Sequence, residues 1–586
     1  MTTMDTTVYD PTNKHADAFN SANHVYLASH TGAYAHPVAD RLNQEVWVTD
    51  YWDPSYGSDW RIPIQRAIQA GGLVRFPPGE FYVSRDSNAI GVQLVSNTFL
   101  VGAGQGVTVI KALDGTGNIH LVSTIGTGNT NIGIFNLTLD HNGTAIGATT
   151  GCHAVRINEV DGFYMRGVAV KNSDQHGIVT EVDSSSHTVL DRVNKNIFIS
   201  DVYLENIGVS GRGGGDGLRL FYGAKDVVVN NVIGYGIEYH GIHVAYGAAT
   251  VNNVILYNVG NVAISPQSDG VVMSNIHVEW ESDHLICDLL ANRPTAGTFG
   301  RHFYASDTGD WFYDNGVQWM SAQSDPSGLW AITRSGTPLF PAGGKSHYSN
   351  VKIVMNITEN TSFNNWASSD GFRLDTDYNS ADNIYVSGKF RFGAYITGDN
   401  NNVSKITIDG CREDGIRISG GANNILDNWR VVTANLANNS SRAVRLSSCL
   451  NNKIINGYSL DSRTTIAISE EGTTNLSIIT GNDVRPASST KISPIGVDSV
   501  VRGNLGYKTE AKGTATIPSG STSVSVTHGL NRTPSNGSII VTPTNNPTTN
   551  PGYFWVSGTT STVFVINCQN NPGSSGASFS WNAEVL

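Results

Sequence analysis

The sequence predicts an all-β protein built on a parallel β-helix, and three observations carry that prediction. Gly numbers 63 of 586 residues, whereas Lys and Arg together make only 37. Long helical periodicity is nearly absent, while short apolar runs alternate with Gly/Asn/Asp turns. Two different strand motifs recur with one shared period of about 22–24 residues, the mark of a repeat protein.

Composition narrows the function classes. A chain of 586 residues exceeds one ordinary globular domain. The net charge of −12 and the lack of a Lys/Arg cluster argue against nucleic-acid binding. The polar start MTTMDTTVYD holds no apolar core of a secretion signal, and no apolar run is long enough to insert in a membrane. Five scattered cysteines without CxxC spacing read as buried thiols, so no disulfide framework, zinc site or other cofactor is expected. No recognisable calcium loop is present.

Residues 1–45 are polar and turn-rich and read as an adaptor or arm. An entry segment follows over 46–90. Within it SDWRIPIQRAIQAGG (58–72) predicts a short helix, with Asp59 capping its start and Ile64, Ala67 and Ile68 on one apolar face. Gly71 and Gly72 stop it, and it suits the open end of a solenoid.

The solenoid is placed at 91–490. One motif is FNLTLDHN (135–142), RGVAVKNS (166–173), SDVYLENI (200–207), NNVIGYGI (230–237), NNVILYNV (252–259) and SNIHVEWE (274–281). Before its first apolar position stand Asn136, Gly167, Asp201, Asn231, Asn253 and Asn275, where stacked amides can bond from rung to rung. The other motif is HAVRI (153–157), HGIVT (176–180), DGLRL (216–220), HGIHV (240–244) and VAISP (262–266), returning as DGFRL (370–374), DGIRI (414–418) and RAVRL (442–446). Insertions lengthen turns at 183–195 and 208–214. A large aromatic excursion at 282–346 serves either sugar stacking or a local core. A linker at 491–509 and a small β-sandwich at 510–586 complete the chain.

The helix followed by LVRFPPGEFYVS, and rungs such as DGLRLFYGAKDVVVNNV, resemble the pectate-lyase-like superfamily over roughly 60–490. With a polar N-terminal segment and a compact C-terminal β-domain, the chain resembles a bacteriophage tailspike or tail-fibre polysaccharide depolymerase. That resemblance implies a right-handed parallel β-helix and a homotrimer in the virion tail, joined to other tail proteins through the N-terminal segment. It also implies a bacterial capsule, exopolysaccharide or O-antigen as partner, cleaved by hydrolysis or elimination at the host surface.

Aligned rungs bring distant residues into outward columns. One column holds His153, His176, Asp216 and His240, with Arg156, Val179, Arg219 and His243 three positions on. A second holds Asp140, Lys171, Glu205, Tyr235, Tyr257 and Glu279. Glycoside hydrolysis needs two carboxylates, for which Asp174, Glu205, Asp216, Glu238 and Glu279 are candidates. Elimination needs a base, from His176, His240 or Tyr235, with Arg219 to neutralise a uronic carboxylate. Asn172-Ser173-Asp174, Gly215-Asp216-Gly217 and Tyr239-His240-Gly241 resemble the Asn-Thr-Asp, Gly-Asp-Asp and Gly-His-Gly of polygalacturonases. Gly217 and Tyr239 depart from that pattern, and no Arg-Ile-Lys follows. The resemblance favours hydrolysis and implies Asp174 and Asp216 as the paired carboxylates with His240 in support; Glu205, from the second column, is the further catalytic candidate. Sugar contacts would come from His176, Arg219, Tyr235, His243, Glu238, Tyr257 and Glu279. Each also has a plain structural reading: turn aspartate, surface ladder or solvated face.

Overall fold

A computed structural model describes residues 25–26, 36–37, 45–182, 194–210, 214–221, 224–245, 247–281, 284–298, 301–305, 307–308, 310–314, 316–321, 345–356, 358–359, 370–434, 441–460, 464–487 and 490–585. They fall into two compact units, 1–215 with 221–232, and 216–220 with 233–586. The expected parallel β-helix is the architecture within each.

In the first unit the helix spans Arg61–Ala70 and buries Pro63, Ile64, Ala67 and Ile68. Gly71 ends it at φ 88°. Asp59 supports its start from one residue further out than an N-cap: its Oδ1 accepts from Arg61 N at 3.0 Å while Trp60 takes the cap position. The expected arm at 1–45 lies outside the described residues except for 25–26, 36–37 and 45; Val25–Tyr26 pairs antiparallel with His36–Pro37. The solenoid begins earlier than expected. Glu45–Trp47 pairs in parallel with Gly72–Arg75, which pairs with Thr98–Val101 and so leads to Asn129–Asp140.

The long strands Asn129–Asp140, Val160–Ser173 and Lys195–Ile207 stack in register, with Leu137, Val168 and Val202 aligned. These three side chains are at most 2% exposed, as are Leu139, Val170 and Leu204 two residues on. Each such burial is worth about 2 kcal/mol, but only once a neighbouring rung covers it. The strands bend where the sequence series stands: Asn136, Gly167, Asp201 and Asn231 all adopt φ between 53° and 65°. Asn and Asp tolerate that left-handed conformation better than other side chains. A second sheet runs through Ile90–Leu94, His120–Thr124, Val155–Asn158 and Ile178–Glu181.

In the second unit Ala249–Val259, Val272–Trp280, His347–Met355, Ser380–Gly388 and Asn402–Asp409 form a parallel ladder. The expected amide ladder runs along it: Asn275 donates to Asn253, Asn350 to Asn275 and Asn383 to Asn350, at 3.1, 3.1 and 2.8 Å. Leu218–Leu220, Ile242–Val244 and Ile264–Pro266 pair in parallel. Another runs from Asp370–Leu374 to Thr490–Ser493. The excursion contributes a small sheet around Leu285–Asp288 and His302–Ala305. There Phe303 is fully buried and Trp319 packs edge-on against it, so this part of the excursion is a local core.

The stretch 491–509, expected as a linker, still carries a rung, because Val500–Arg502 pairs with Ile478–Thr480. Its motif is too short to repeat the earlier spacing. Beyond it, two three-stranded antiparallel sheets enclose Phe564, Phe579, Ile566 and Trp581.

Candidate active site

The strand registers reproduce the sequence columns. Arg156 pairs with Val179, and Arg219 with His243, which aligns His153 with His176 and Asp216 with His240. Asp140 pairs with Lys171, Lys171 with Glu205, and Tyr257 with Glu279. The second column points outward as expected, all its members being partly exposed. The first does not: His153, His176, Asp216, His240 and His243 are only 2–7% exposed. The outward orientation expected for them is corrected: their rings pack on one another and bond to groups of the neighbouring rung.

In the first unit His120, His153 and His176 stack with ring centroids 4.9 and 4.7 Å apart. Nδ1 of His120 accepts from the His153 amide, and Nδ1 of His153 from the His176 amide. His141 is fully buried, with Nε2 donating to Ile119 O at 2.7 Å and Nδ1 accepting from Asp174 N at 2.9 Å. Burial pushes His141 down to about 4 and His120 to about 3. The Asp174 carboxylate accepts from the Cys152 amide at 2.9 Å and is 1% exposed. Glu181, not singled out in the sequence, accepts from Arg156 at 2.6 Å and lies 3.6 Å from His153. Glu205 pairs with Lys171 at 2.7 Å. Beside them a depression of about 370 Å³ is lined by Glu80, Thr138, Asp140, Lys171 and Tyr203.

In the second unit Asp216 gathers three of the expected residues around one carboxylate. Its Oδ1 lies 2.8 Å from His240 Nδ1, its Oδ2 3.2 Å from His243 Nδ1, and Arg219 Nε is 3.7 Å away. A carboxylate only accepts, so both imidazoles donate through Nδ1 and keep the basic lone pair on Nε2. Tyr239 packs on His240 at 4.1 Å. Burial, then the Asp216 charge, hold its hydroxyl above the usual range. Burial outweighs Asp216 at His240 and lowers that imidazole. The Asp216, His240 and His243 ligand atoms lie within 4.8 Å of one another, so this set could also take a divalent cation. The hydrogen bonds account for the same geometry without one.

Tyr235 donates to Glu281 at 2.9 Å, with His284 Nε2 at 3.1 Å, and its ring lies tilted 6.2 Å from that of Tyr257. Glu279 accepts from His277 at 3.0 Å and Asn356 at 2.9 Å. Glu238 is half-buried beside Tyr239. Glu281 and His284 went unnoticed because only Glu281 belongs to a repeat motif, as its last residue.

No known protein-family profile matches the chain. It is 38% identical over 119 residues to mannuronan C5-epimerase AlgE6 of Azotobacter vinelandii, covering 18% of this chain and 12% of that protein. It is 38% identical over 130 residues to alginate lyase 7 of the same organism, covering 20% and 14%. A preneck appendage protein of Bacillus phage PZA is 27% identical over 234 residues, covering 36% and 26%. The chain thus spans about an eighth of the length of the first curated relatives it matches. Among solved structures, the tailspike of E. coli bacteriophage HK620 in complex with a pentasaccharide superposes with TM-score 0.53 at 12% identity, covering 99% of each chain. The fold is therefore that of phage tailspikes, as the sequence resemblance implied.

Proposed function

We propose that this is a phage tail protein that binds and depolymerises a bacterial surface polysaccharide, cleaving it by β-elimination at a uronic acid residue. The observation that carries the chemistry is Asp216 clasped by His240, His243 and Arg219. Hydrolysis requires one carboxyl of a pair to carry a proton to the leaving oxygen. Asp216 accepts from two imidazoles with a guanidinium 3.7 Å away, the placement of an orienting group for a histidine base.

Elimination uses what is present. Arg219 neutralises the uronate carboxylate and so acidifies the adjacent C–H. His240 Nε2 takes that proton, and the electron pair passes into the carboxylate as an enolate. Collapse forms a C=C bond and breaks the glycosidic C–O bond. The Tyr239 hydroxyl, kept un-ionised by burial, protonates the departing oxygen. The likeness to an alginate lyase and to epimerases, proteins named for acting on uronate polymers, supports this choice. The phage relative and the tailspike fold support a place in the virion tail, and the tailspike resemblance a homotrimer.

Hydrolysis keeps one observation in its favour. Glu80 and Asp140 share the 370 Å³ depression with Lys171 and Tyr203. Digestion of the host polysaccharide separates the two readings. Products absorbing in the ultraviolet as unsaturated uronates establish elimination; new reducing ends without that absorbance establish hydrolysis. Binding without cleavage leaves a carbohydrate-binding tail fibre.

A further inference from the structure

The second unit carries a column of basic side chains that the chemistry above does not use. On the sheet from Asp370–Leu374 to Thr490–Ser493, Arg373 pairs with Tyr395, Tyr395 with Arg417, and Arg417 with Arg445. Their strand neighbours Phe372, Ala394, Ile416, Ile418 and Val444 are fully buried, so the column faces outward. In a chain of net charge −12, three arginines and a tyrosine share one outer line.

The arginines are held in place from behind. Arg373 bonds to Asp375 through Nε at 2.8 Å and lies over the Tyr395 ring at 5.2 Å. Arg445 Nε lies 3.2 Å from the buried Asp414 and 3.4 Å from Glu471. Fully buried Asp370 accepts from Arg391 at 3.0 Å. Arg417 differs. It rests on Phe392 at 5.1 Å, and no carboxylate lies within ion-pair distance of it among the described residues. Its Nε is buried without a hydrogen-bond partner. A guanidinium stacked on a ring, flanked by braced arginines and with no carboxylate of its own, is pre-organised for an external one. Tyr395 beside it offers an aromatic face to a sugar ring.

We infer that the Arg373–Tyr395–Arg417–Arg445 column is a saccharide-binding subsite for carboxylate-bearing sugar residues, separate from the Asp216 cluster. The identification of the ligand as a polyuronate rests on the elimination reading; the anionic preference rests on the column itself. A linear polymer suits it, because three of four successive rungs present a guanidinium group in one line.

The test is titration calorimetry of the full chain carrying Asp216→Asn, with short mannuronate, galacturonate and glucuronate oligomers as probes and neutral dextran oligomers as control. At least one uronate series should bind, salt should weaken it, and dextran should not compete. Adding Arg417→Gln should weaken uronate binding about tenfold, and Arg417→Lys should restore part of it. Circular dichroism melts confirm that both variants fold; Arg373→Gln serves in place of either that does not. Absence of uronate binding, or binding indifferent to Arg417 and Arg373, overturns the subsite. Uronate binding that depends on Arg417, in a protein whose digestion products lack ultraviolet absorbance, keeps the subsite and removes the elimination reading.

Discussion

Buried histidines stand in both units, yet they do opposite things. In the first unit the Nδ1 atoms of His120, His153 and His141 accept backbone amides from the following rung. In the second, the Nδ1 atoms of His240 and His243 face the Asp216 carboxylate. One residue supplied by the adjacent rung decides the matter. An amide partner fixes the proton on Nε2 and makes the imidazole a structural acceptor. A carboxylate partner turns the ring over electronically, leaving a basic Nε2. A column of histidines in a solenoid is therefore not a site until a rung places an acid against Nδ1, as Asp216 does; Glu181 faces Nε2 of His153 instead.

The sharpest way to break this comparison is to exchange the acid. Asp216→Asn should lower kcat on the order of a thousandfold with the fold intact, since the amide no longer fixes the tautomer of His240. Asp174→Asn, which alters a carboxylate bonded to the Cys152 amide, should instead lower the thermal midpoint while kcat is retained. Turnover assays beside melts decide it. Turnover abolished in a folded Asp174→Asn protein, with Asp216→Asn active, would restore paired-carboxylate hydrolysis.

The acceptor histidines should make the fold sensitive to acid. His141 is held at about 4, below the ordinary 6.5, so the unfolded chain takes up its proton first as pH falls. Its contribution is complete above 6.5 and is lost between 6.5 and about 4, at about 1.4 kcal/mol per pH unit. Asp370 acts in the other sense. Burial raises it to about 6, against Arg391 and Arg373, so the folded state gains its proton and some stability as pH falls through that value. Urea unfolding at several pH values should show a slope that His141→Gln flattens and Asp370→Asn steepens.

The donor histidines predict a smaller, kinetic effect. Burial lowers His240 below the ordinary range while Asp216 opposes it. The acidic limb of kcat/KM should therefore have its midpoint below about 6.5, the ordinary histidine value. Residual activity in Asp216→Asn should show that limb moved to still lower pH, because the opposing charge is gone. A limb that rises instead would mean that another group is the base.

Much of this was legible in the sequence because the repeat is periodic. Stacking registers of Arg156 with Val179 and Asp140 with Lys171 follow from motif spacing alone. Burial did not follow, since whether His176 or Asp216 is covered depends on turns that break the period. The same limit hid Glu181 and His284, which reach their partners from outside the motifs. The last solenoid rung at Val500–Arg502 went unread because its strand is only three residues long.

The smallest expected effect tests the scaffold on which both histidine sets depend. Asn275 performs two functions: it holds φ at 54°, and its amide links Asn253 to Asn350. Asn275→Gly keeps the conformation and removes the amide, as Gly167 does naturally at φ 65°. Asn275→Ala removes the amide and also meets the left-handed penalty of roughly 1–2 kcal/mol. If the bend dominates, the glycine variant should melt close to the parent and the alanine variant well below it. If the ladder dominates, both should fall together by about 1 kcal/mol for each lost bond. The two melts thus separate conformational from hydrogen-bonding control of a rung, at a position equivalent to Asn136 and Asp201 in the first unit.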